Sequence, residues 1–348
     1  MKSSLRPTSL DDLAKLSQFL QEAFGTSAEA PFLNPTLMAW KYWDRRDDWE
    51  GPRSYVLERD GAIVAHAGIY PLTFGPQTNE EAVRGIHMID WASAKDSPGA
   101  GVAILQKLAA MFDFILAIGG SEMTCKVLPA FGFVECARQW RGARPLRPVQ
   151  QIRNHQYRNW KLAPRLARNA WWALSKPARL NEKWQVEEIG LGELAGGFYS
   201  SHVADVHFTR RPPEYFEYLL RCPAMKMHLY GIRDDQEPTG HFAVGVLRGQ
   251  ARIAGVWLSK STREAWETAF ALGQQAAKRL EGAYEVVTAG SEGASEAGAL
   301  AAGLRIVGHS PVYLLNKKGN LTLPPDFQFQ LSDDDEFLLD VGNPAYWT

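Results

Sequence analysis

The chain has 348 residues, of which 45% are hydrophobic and 22% charged, so its composition is that of a globular protein long enough for two domains. The three cysteines are odd in number and far apart, which argues against a disulfide framework and a zinc site and fits a reducing compartment. The sequence has no apolar signal region and no uncharged apolar run of about 20 residues. We therefore predict a cytoplasmic protein.

The first elements follow from local patterns. SLRPTSLDDLAKLSQFLQEAFG predicts a short strand and then a helix, because Ser9 and Asp12 have the spacing of a capping box and apolar residues recur at helical intervals after them. SYVLERDGAIVAHAGIYPLTF predicts a hairpin, since two β-rich runs are joined at Asp60-Gly61.

A glycine-bearing turn follows the next strand. GIHMIDW (85–91) predicts a strand, DSPGAG (96–101) a turn, and the residues after it an amphipathic helix. Gly99 and Gly101 let the backbone approach a ligand, and the helix N-terminus behind them favours an anion such as a pyrophosphate. The dinucleotide fingerprint is excluded because residue 104 is Ile, and the P-loop is excluded because no Gly-Lys-Ser/Thr follows. The strand DFILAIGG and a short helix ending at Gly132 complete the order β-α-β-β-β-α-β-α-β.

The second half repeats this order. Residues 227–249 align with the first hairpin, ARIAGVWLS (251–259) with GIHMIDWAS (85–93), and 285–308 with 114–136. Both copies place Gly-Ser-Glu after the corresponding strand, which favours a duplication over a chance likeness between two α/β domains.

These features together resemble the GNAT acyltransferase superfamily. The residues that carry the resemblance are LRPTSLDDL near the start, DSPGAG at 96–101 and AFGFVE at 130–135. The resemblance implies an α/β fold of two tandem GNAT-like domains, each a mixed, mostly antiparallel sheet flanked by helices. We predict a first domain over 1–147 that binds acyl-CoA, a basic linker over 148–182, a degenerate second domain over 183–322 and an acidic tail over 323–348.

The resemblance also implies a co-substrate, acetyl-CoA or another acyl-CoA, and no metal. Its pantetheine would bind backbone groups of Ile89, Asp90 and Trp91, with Ser121 at the position of the usual Asn. Its pyrophosphate would bind the turn and first helical residues, which are Ser97, Pro98, Gly99, Ala100, Gly101 and Val102. The sequence departs from the family at two further positions: Asp96 replaces an Arg or Gln, and Leu128 replaces the tyrosine that often acts as general acid.

Acylation of an amine needs a base for the ammonium proton and groups that stabilise an oxyanion. The candidates are Asp90 and His87 on the strand and Glu122 after the next strand. His87 and Asp90 are three residues apart, so an ideal strand places them on opposite faces unless a bulge intervenes. Cys125 is interpreted as a packing residue, since no His or Asp lies near it in sequence.

Between residues 137 and 180 there are eleven Lys or Arg and no Asp or Glu, with four tryptophans interleaved. Such a segment fits a solvated linker, or a peripheral contact of residues 138–179 with an anionic inner-membrane surface. Nucleic-acid binding is disfavoured, because the rest of the chain is acidic and no groove-reading element is evident.

The sequence thus predicts an enzyme that transfers an acyl group from acyl-CoA to an amine of a small-molecule, sugar or cell-envelope acceptor, by direct attack in a ternary complex. Two alternatives remain open: a FemAB-like transferase that uses aminoacyl-tRNA, and a non-catalytic binding protein of the same fold.

Overall fold

The computed structural model of the chain describes residues 3–74, 83–120, 122–153, 158–175, 183–199, 208–319, 321–324, 326–338, 340 and 346–348. The strands in these residues are β1 (Ser3–Pro7), β2 (Ser54–Arg59), β3 (Ala62–Phe74), β4 (Val83–Ser93), β5 (Phe114–Ile118), β6 (Val134–Pro145), β7 (Trp184–Glu188), β8 (Lys226–Asp234), β9 (Glu237–Leu247), β10 (Gln250–Leu258), β11 (Glu285–Ser291) and β12 (Arg305–Leu315). The helices are α1 (Leu13–Phe24), α2 (Pro35–Tyr42), α3 (Ala100–Met111), α4 (Glu122–Val127), α5 (Leu162–Leu174), α6 (Leu191–Glu193), α7 (Pro213–Leu220), α8 (Arg263–Arg279) and α9 (Ala294–Ala301).

The structure contains the predicted helix cap before α1 and the predicted turn between β2 and β3. The Asp12 carboxylate accepts a hydrogen bond from the Ser9 N–H (2.9 Å), which completes one arm of the capping box before α1. Asp60 and Gly61 both have positive φ (49° and 80°), as a two-residue hairpin turn of type I′ requires. The prediction missed α2, which has only eight residues and therefore no long apolar period. Its start signal was present, since Asn34 caps the helix and Pro35 occupies its first position.

The described strands form one sheet in the order β1-β2-β3-β4-β5-β12-β6-β11-β10-β9-β8-β7. The two halves exchange their last strands within it. β6, from the first half, pairs with β11 of the second, and β12, from the second, pairs with β5 of the first. β6 and β12 also pair with each other and form the seam. One continuous sheet thus contains strands from both sides of the predicted boundary at residue 147. The predicted domain boundaries stay predictions.

Two faces of the first half matter for the site. Ile86 and Met88 of β4 pack in one apolar cluster with α3, whereas Ile89 belongs to the opposite cluster, together with residues of α2 and α7. That second cluster extends through both halves and includes the tail residue Phe337. The predicted fold class is confirmed: each half is a mixed, mostly antiparallel sheet with helices on its faces.

Candidate functional site

β4 and β5 separate partway along their length. Their parallel pairing covers Gly85–Phe114 to His87–Leu116, and within the described residues no later pair joins them. β4 continues to Ser93 and pairs on its other side with β3. Backbone groups of residues 88–93 on the β5 side therefore face an opening, which we call the first cleft. An extended chain with amide groups can bind there in place of a neighbouring strand.

A β-bulge lies on β4 at the mouth of this cleft. The register with β3 shifts between the pairs Gly68–Ile89 and His66–Ala92, and Asp90 within the bulge has φ 46°. This is the irregularity that the three-residue spacing of His87 and Asp90 required. As a result both side chains reach the face of the sheet that carries α2, where Asp90 contacts Lys41.

The glycine turn opens next to the same end of β4. Gly99 has φ 81° and precedes the first residue of α3. A Cβ at Gly99 would meet nothing within 4 Å, and one at Gly101 would make only ordinary contacts of 3.5 Å with Ser93 and Trp91. The Trp91 indole N–H donates to the Gly101 carbonyl oxygen (3.0 Å), so the cleft strand and the helix start are joined directly. The Ala100 N–H donates to the Ser97 carbonyl oxygen (3.1 Å). The N–H groups of Gly101 and Val102, which follow in the first helical turn, have no acceptor within the helix and can bind an anion.

Asp90 is the centre of a hydrogen-bonded group. Its carboxylate forms an ion pair with Lys41 and accepts a hydrogen bond from the Tyr42 hydroxyl (2.6 Å). Burial alone raises the pKa of this carboxyl, but the charge of Lys41 and the hydrogen bonds from Lys41 and Tyr42 outweigh burial and lower it. Burial lowers the pKa of His66 to about 4, so its neutral ring donates to the Asp90 carbonyl oxygen (2.9 Å) through Nδ1–H.

Residues from the acidic tail complete the site. The Nε2 atom of His87 lies 3.4 Å from the Asp334 carboxylate, and the Nδ1 atom donates to the Leu116 carbonyl oxygen (3.1 Å). The Asp335 carboxylate lies 3.7 Å from the Lys41 ammonium. We use the name charge cluster for Lys41, His87, Asp90, Asp334 and Asp335.

The carboxyl groups of the charge cluster differ in their pKa values. Burial opposes the charged forms of Asp334 and His87, but the hydrogen bond between them lowers the pKa of Asp334 and raises that of His87. Burial, with the charges of Asp90 and Asp334 beside it, raises the pKa of Asp335 to about 7. Separated pKa values of neighbouring carboxyls are what an acid–base site needs.

The donor atoms of His87, Asp334 and Asp335 lie within 4.8 Å of one another, a spacing that is compact enough for a cation. Lys41 already supplies a positive charge beside Asp335, and the Asp334 carboxylate is engaged with His87. The prediction that the site uses no metal stays a prediction.

The second half has an equivalent opening, and the tail fills it. The pairing of β10 with β11 ends at Arg252–Val287. The Gln330 side-chain oxygen accepts a hydrogen bond from the N–H of Val256, which aligns with Asp90 of the first copy. The Phe329 N–H donates to the hydroxyl of Ser291 (2.8 Å), which aligns with Ser121. The tail thus bonds to β10 and to β11 of the second half, beyond the point where these two strands stop pairing.

The structure brings together most of the predicted site residues. Ile89, Asp90 and Trp91 border the first cleft, His87 stands at its inner end, and residues 97–102 form the adjoining turn. Glu122 lies outside the charge cluster, at the start of α4, with its side chain 84% exposed and paired with Lys126. Ser121 lies outside the described residues. Leu128, at the position of the family's tyrosine, is buried in the core beside α3.

Sequence reasoning missed Lys41, Asp334 and Asp335. The only signal for the two aspartates is the run LSDDDEF within the predicted acidic tail. Its residues Asp333, Asp334 and Asp335 are buried or half-buried, which an acidic run in a solvated tail would not be.

The basic segment divides between core and surface. Trp140 on β6 is fully buried and donates to the Ser291 carbonyl oxygen (2.8 Å). Trp160 and Trp171, before and within α5, are 84% and 68% exposed. Among the described residues, no helix has both the length and the apolar character needed to cross a bilayer. Peripheral membrane contact through 138–179 stays a prediction.

No family model and no curated sequence matches the chain. Several solved structures match its fold. A GCN5-related N-acetyltransferase from Anabaena variabilis has a TM-score of 0.58 and 13% identity over 90% of this chain and 73% of its own. A tandem GNAT protein of the clavulanic acid biosynthesis pathway has a TM-score of 0.55 and 11% identity over 90% and 98%.

Saccharomyces cerevisiae N-myristoyltransferase, solved with myristoyl-CoA, has a TM-score of 0.60 and 12% identity over 90% of this chain and 80% of its own. Identities this low establish similarity of fold alone. These structural matches, the separated strands in both halves and the repeated element order together show that the chain has the tandem GNAT fold.

Proposed function

We propose that the protein is an acyl-CoA-dependent N-acyltransferase in which the first copy binds the co-substrate. The observation that carries the proposal is the first cleft: β4 separates from β5 after His87, and its free edge leads to the open N-terminus of α3. A pantetheine arm has amide groups for a strand edge, and a pyrophosphate has the charge for a helix N-terminus.

In this proposal the backbone of residues 89–91 binds the pantetheine, and residues 97–102 bind the pyrophosphate. Lys95 and Lys107 add positive charge near the turn and offset Asp96. The similar N-myristoyltransferase was solved with bound myristoyl-CoA, which supports an acyl-CoA as donor. Acetyl-CoA is the donor to test first.

The acceptor is proposed to be an amine of a small molecule, a sugar or a cell-envelope precursor. A cavity of about 470 Å³ is lined by residues of both halves, among them Glu50, Arg211 and Glu214. Arg211 also pairs with Asp333 (2.9 Å), next to the charge cluster. A cavity of this size with charges of both signs suits a small polar acceptor. The amine would attack the thioester directly, with His87, Asp90 or Glu122 as the predicted proton route.

Calorimetric titration with acetyl-CoA, and with desulfo-CoA as a non-reactive analogue, tests the proposal. The wild-type protein is expected to bind both. Gly101→Val should reduce the affinity at least tenfold, because the added methyl groups stand in the path of the phosphates beside Trp91.

The matched control is Ala110→Val, which adds the same type of side chain at an exposed position on α3, away from the turn. It should leave binding unchanged. Absence of binding by the wild type at millimolar CoA would overturn the acyl-CoA proposal and favour the aminoacyl-tRNA-dependent or non-catalytic alternatives. Equal loss of binding in both variants would mean that distortion of α3, rather than the phosphate path, is responsible.

A further inference from the structure

The tail segment at the first cleft is held firmly by the second half. Before the two aspartates of the charge cluster, Asp333 pairs with Arg211 (2.9 Å), and both side chains are almost completely buried. After them, the Arg252 guanidinium donates to the carbonyl oxygens of Glu336 (2.9 Å) and Phe337 (3.0 Å). Asp334 and Asp335 lie between these anchors, so their positions relative to β4 are fixed.

Asp335 is the most accessible carboxylate of the charge cluster. Its side chain is 20% exposed, against 8% for Asp90 and 13% for Asp334. Asp90 is engaged with Lys41 and Tyr42, and Asp334 with His87. The Asp335 carboxylate lies 3.7 Å from the Lys41 ammonium and interacts with the Asp334 side chain, and its two oxygens leave it able to accept a further hydrogen bond from a ligand.

The groups around Asp335 come from three elements and keep its proton exchangeable near neutral pH. Burial and the nearby carboxylates Asp90 and Asp334 raise its pKa to about 7, although Lys41 and His87 act in the opposite direction. The charged and titratable groups that face it are Lys41 and Tyr42 from α2, His87 and Asp90 from β4, and Asp334 from the tail itself.

We propose that Asp335, supplied by the tail, is the catalytic base that takes the proton of the acceptor ammonium at the first cleft. This inference rests on the proposed N-acyltransferase function. One proton passes from R–NH₃⁺ to the Asp335 carboxylate, and the free amine attacks the thioester carbon. The new C–N bond forms, the C–S bond breaks, and the leaving thiolate takes a second proton from nitrogen. Asp335 then releases its proton to solvent, so that acyl-CoA and ammonium give amide, CoA thiol and H⁺.

Asp335→Asn tests the assignment through two readouts. The first is infrared spectroscopy of the protein alone: the C=O band of a protonated carboxyl should titrate with a midpoint near pH 7 in the wild type and be missing in the variant. The second is release of CoA thiol from acetyl-CoA with ethanolamine, glucosamine or lysine as acceptor, from pH 5.5 to 9. The wild-type kcat/KM should rise with pH through about 7. In the variant kcat/KM should be about 10²–10⁴-fold lower, and its rise with pH around 7 should be absent.

Two further variants separate a lost base from a damaged site. Asp335→Glu keeps a carboxylate, so its kcat/KM should still rise with pH near 7 and should keep part of the wild-type value. Glu336→Gln removes the next carboxylate along the chain, which bonds Arg141 (3.2 Å), and should leave both the infrared band and the pH profile in place. Acetyl-CoA affinity, measured by calorimetry, should be unchanged in Asp335→Asn.

The outcomes distinguish the two proposals. If the wild type does not bind acetyl-CoA, the proposed function fails whatever the infrared titration gives. If acetyl-CoA binds but the carboxyl band persists in Asp335→Asn, or its pH profile matches that of the wild type, the assignment of Asp335 is wrong and the proposed function stands. If none of the three amines supports turnover, the infrared titration decides whether Asp335 is the group that titrates near pH 7. Loss of the band in Asp335→Asn supports that assignment, and persistence of the band contradicts it.

Discussion

Lys41 and Asp90 form an ion pair at a point where both side chains are largely withdrawn from water, at 11% and 8% exposure. Removing one partner of such a pair leaves the other charge buried without compensation, which typically costs about 3–5 kcal/mol. We therefore expect Lys41→Met to lower the free energy of unfolding by about this amount at pH 7, as measured by urea denaturation. Lys15→Met, which removes a half-exposed lysine paired with Glu58, should cost less than about 1 kcal/mol.

The difference in unfolding free energy between the wild type and Lys41→Met should depend on pH, with a sign that follows from the pKa of Asp90. The pKa of Asp90 is lowered in the folded protein, so its pairing stabilises the fold above the carboxyl's unfolded pKa and is lost as pH falls through the folded value. The gap between wild type and Lys41→Met should accordingly narrow as the pH is lowered from 7 to 3. A gap that stays constant over this range would mean that the Asp90 charge is not what the lysine stabilises.

At the residue scale, the sequence alone singles out candidate site residues where the pattern is local. Asp90 in an apolar strand and the glycines of the turn are conspicuous because their neighbours in sequence are also their neighbours in space. Asp335 was not predictable, since it comes 245 positions after Asp90 and reaches it through tertiary contacts. From the sequence, a bulge on β4 could be named only as the requirement for His87 and Asp90 to share a face. Its presence could not be predicted, because it depends on how β3 and β4 pair.

At the scale of elements, the two copies differ in what occupies the space between their separated strands. In the second copy the tail bonds to Val256 on β10 and Ser291 on β11, and Gln139 of β6 donates to the Gln330 carbonyl oxygen (2.9 Å). These bonds satisfy backbone and side-chain groups that a bound ligand would otherwise need to reach. The second copy also lacks the glycine turn before its α8.

The stoichiometry of acyl-CoA binding tests this difference. Calorimetry of the wild type should give one acetyl-CoA per chain, because the tail occupies the opening of the second half among the described residues. Gly101→Val should weaken all of this binding at least tenfold, with Ala110→Val again as the control. If Gly101→Val still bound one acetyl-CoA per chain with wild-type affinity, a second site would lie in the other half, which would contradict the assignment of the tail as its occupant.

At the scale of the whole molecule, the repeated order of elements predicted two copies of one fold, but not the exchange of β6 and β12. Each copy's own pattern is satisfied whether its last strand pairs within the copy or with the other one, since both arrangements bury the same strand faces. Sequence periodicity reports which face of a strand is buried and not which neighbour it has. The exchange places the segment before the basic linker in the middle of the sheet.

The exchanged strands join the two halves into one cooperative unit. β12 pairs with β5 of the first half and with β6, which in turn pairs with β11 of the second. Unfolding of either half therefore removes the hydrogen-bonding partners of the other. We expect one transition in urea, with coincident midpoints for circular dichroism and tryptophan fluorescence.

Val312 provides the probe for this cooperativity. It is fully buried on β12 and faces Ile118 of β5 and Ala137 of β6. Val312→Ala should lower the free energy of unfolding by about 2 kcal/mol, from lost burial and the cavity left behind, and both signals should shift to lower urea together. Val307→Ala, at a 45% exposed position on the same strand, should shift neither signal by more than about 0.5 kcal/mol. Two separate transitions, or a shift confined to one signal, would mean that each half folds on its own and that the exchanged strands do not couple them.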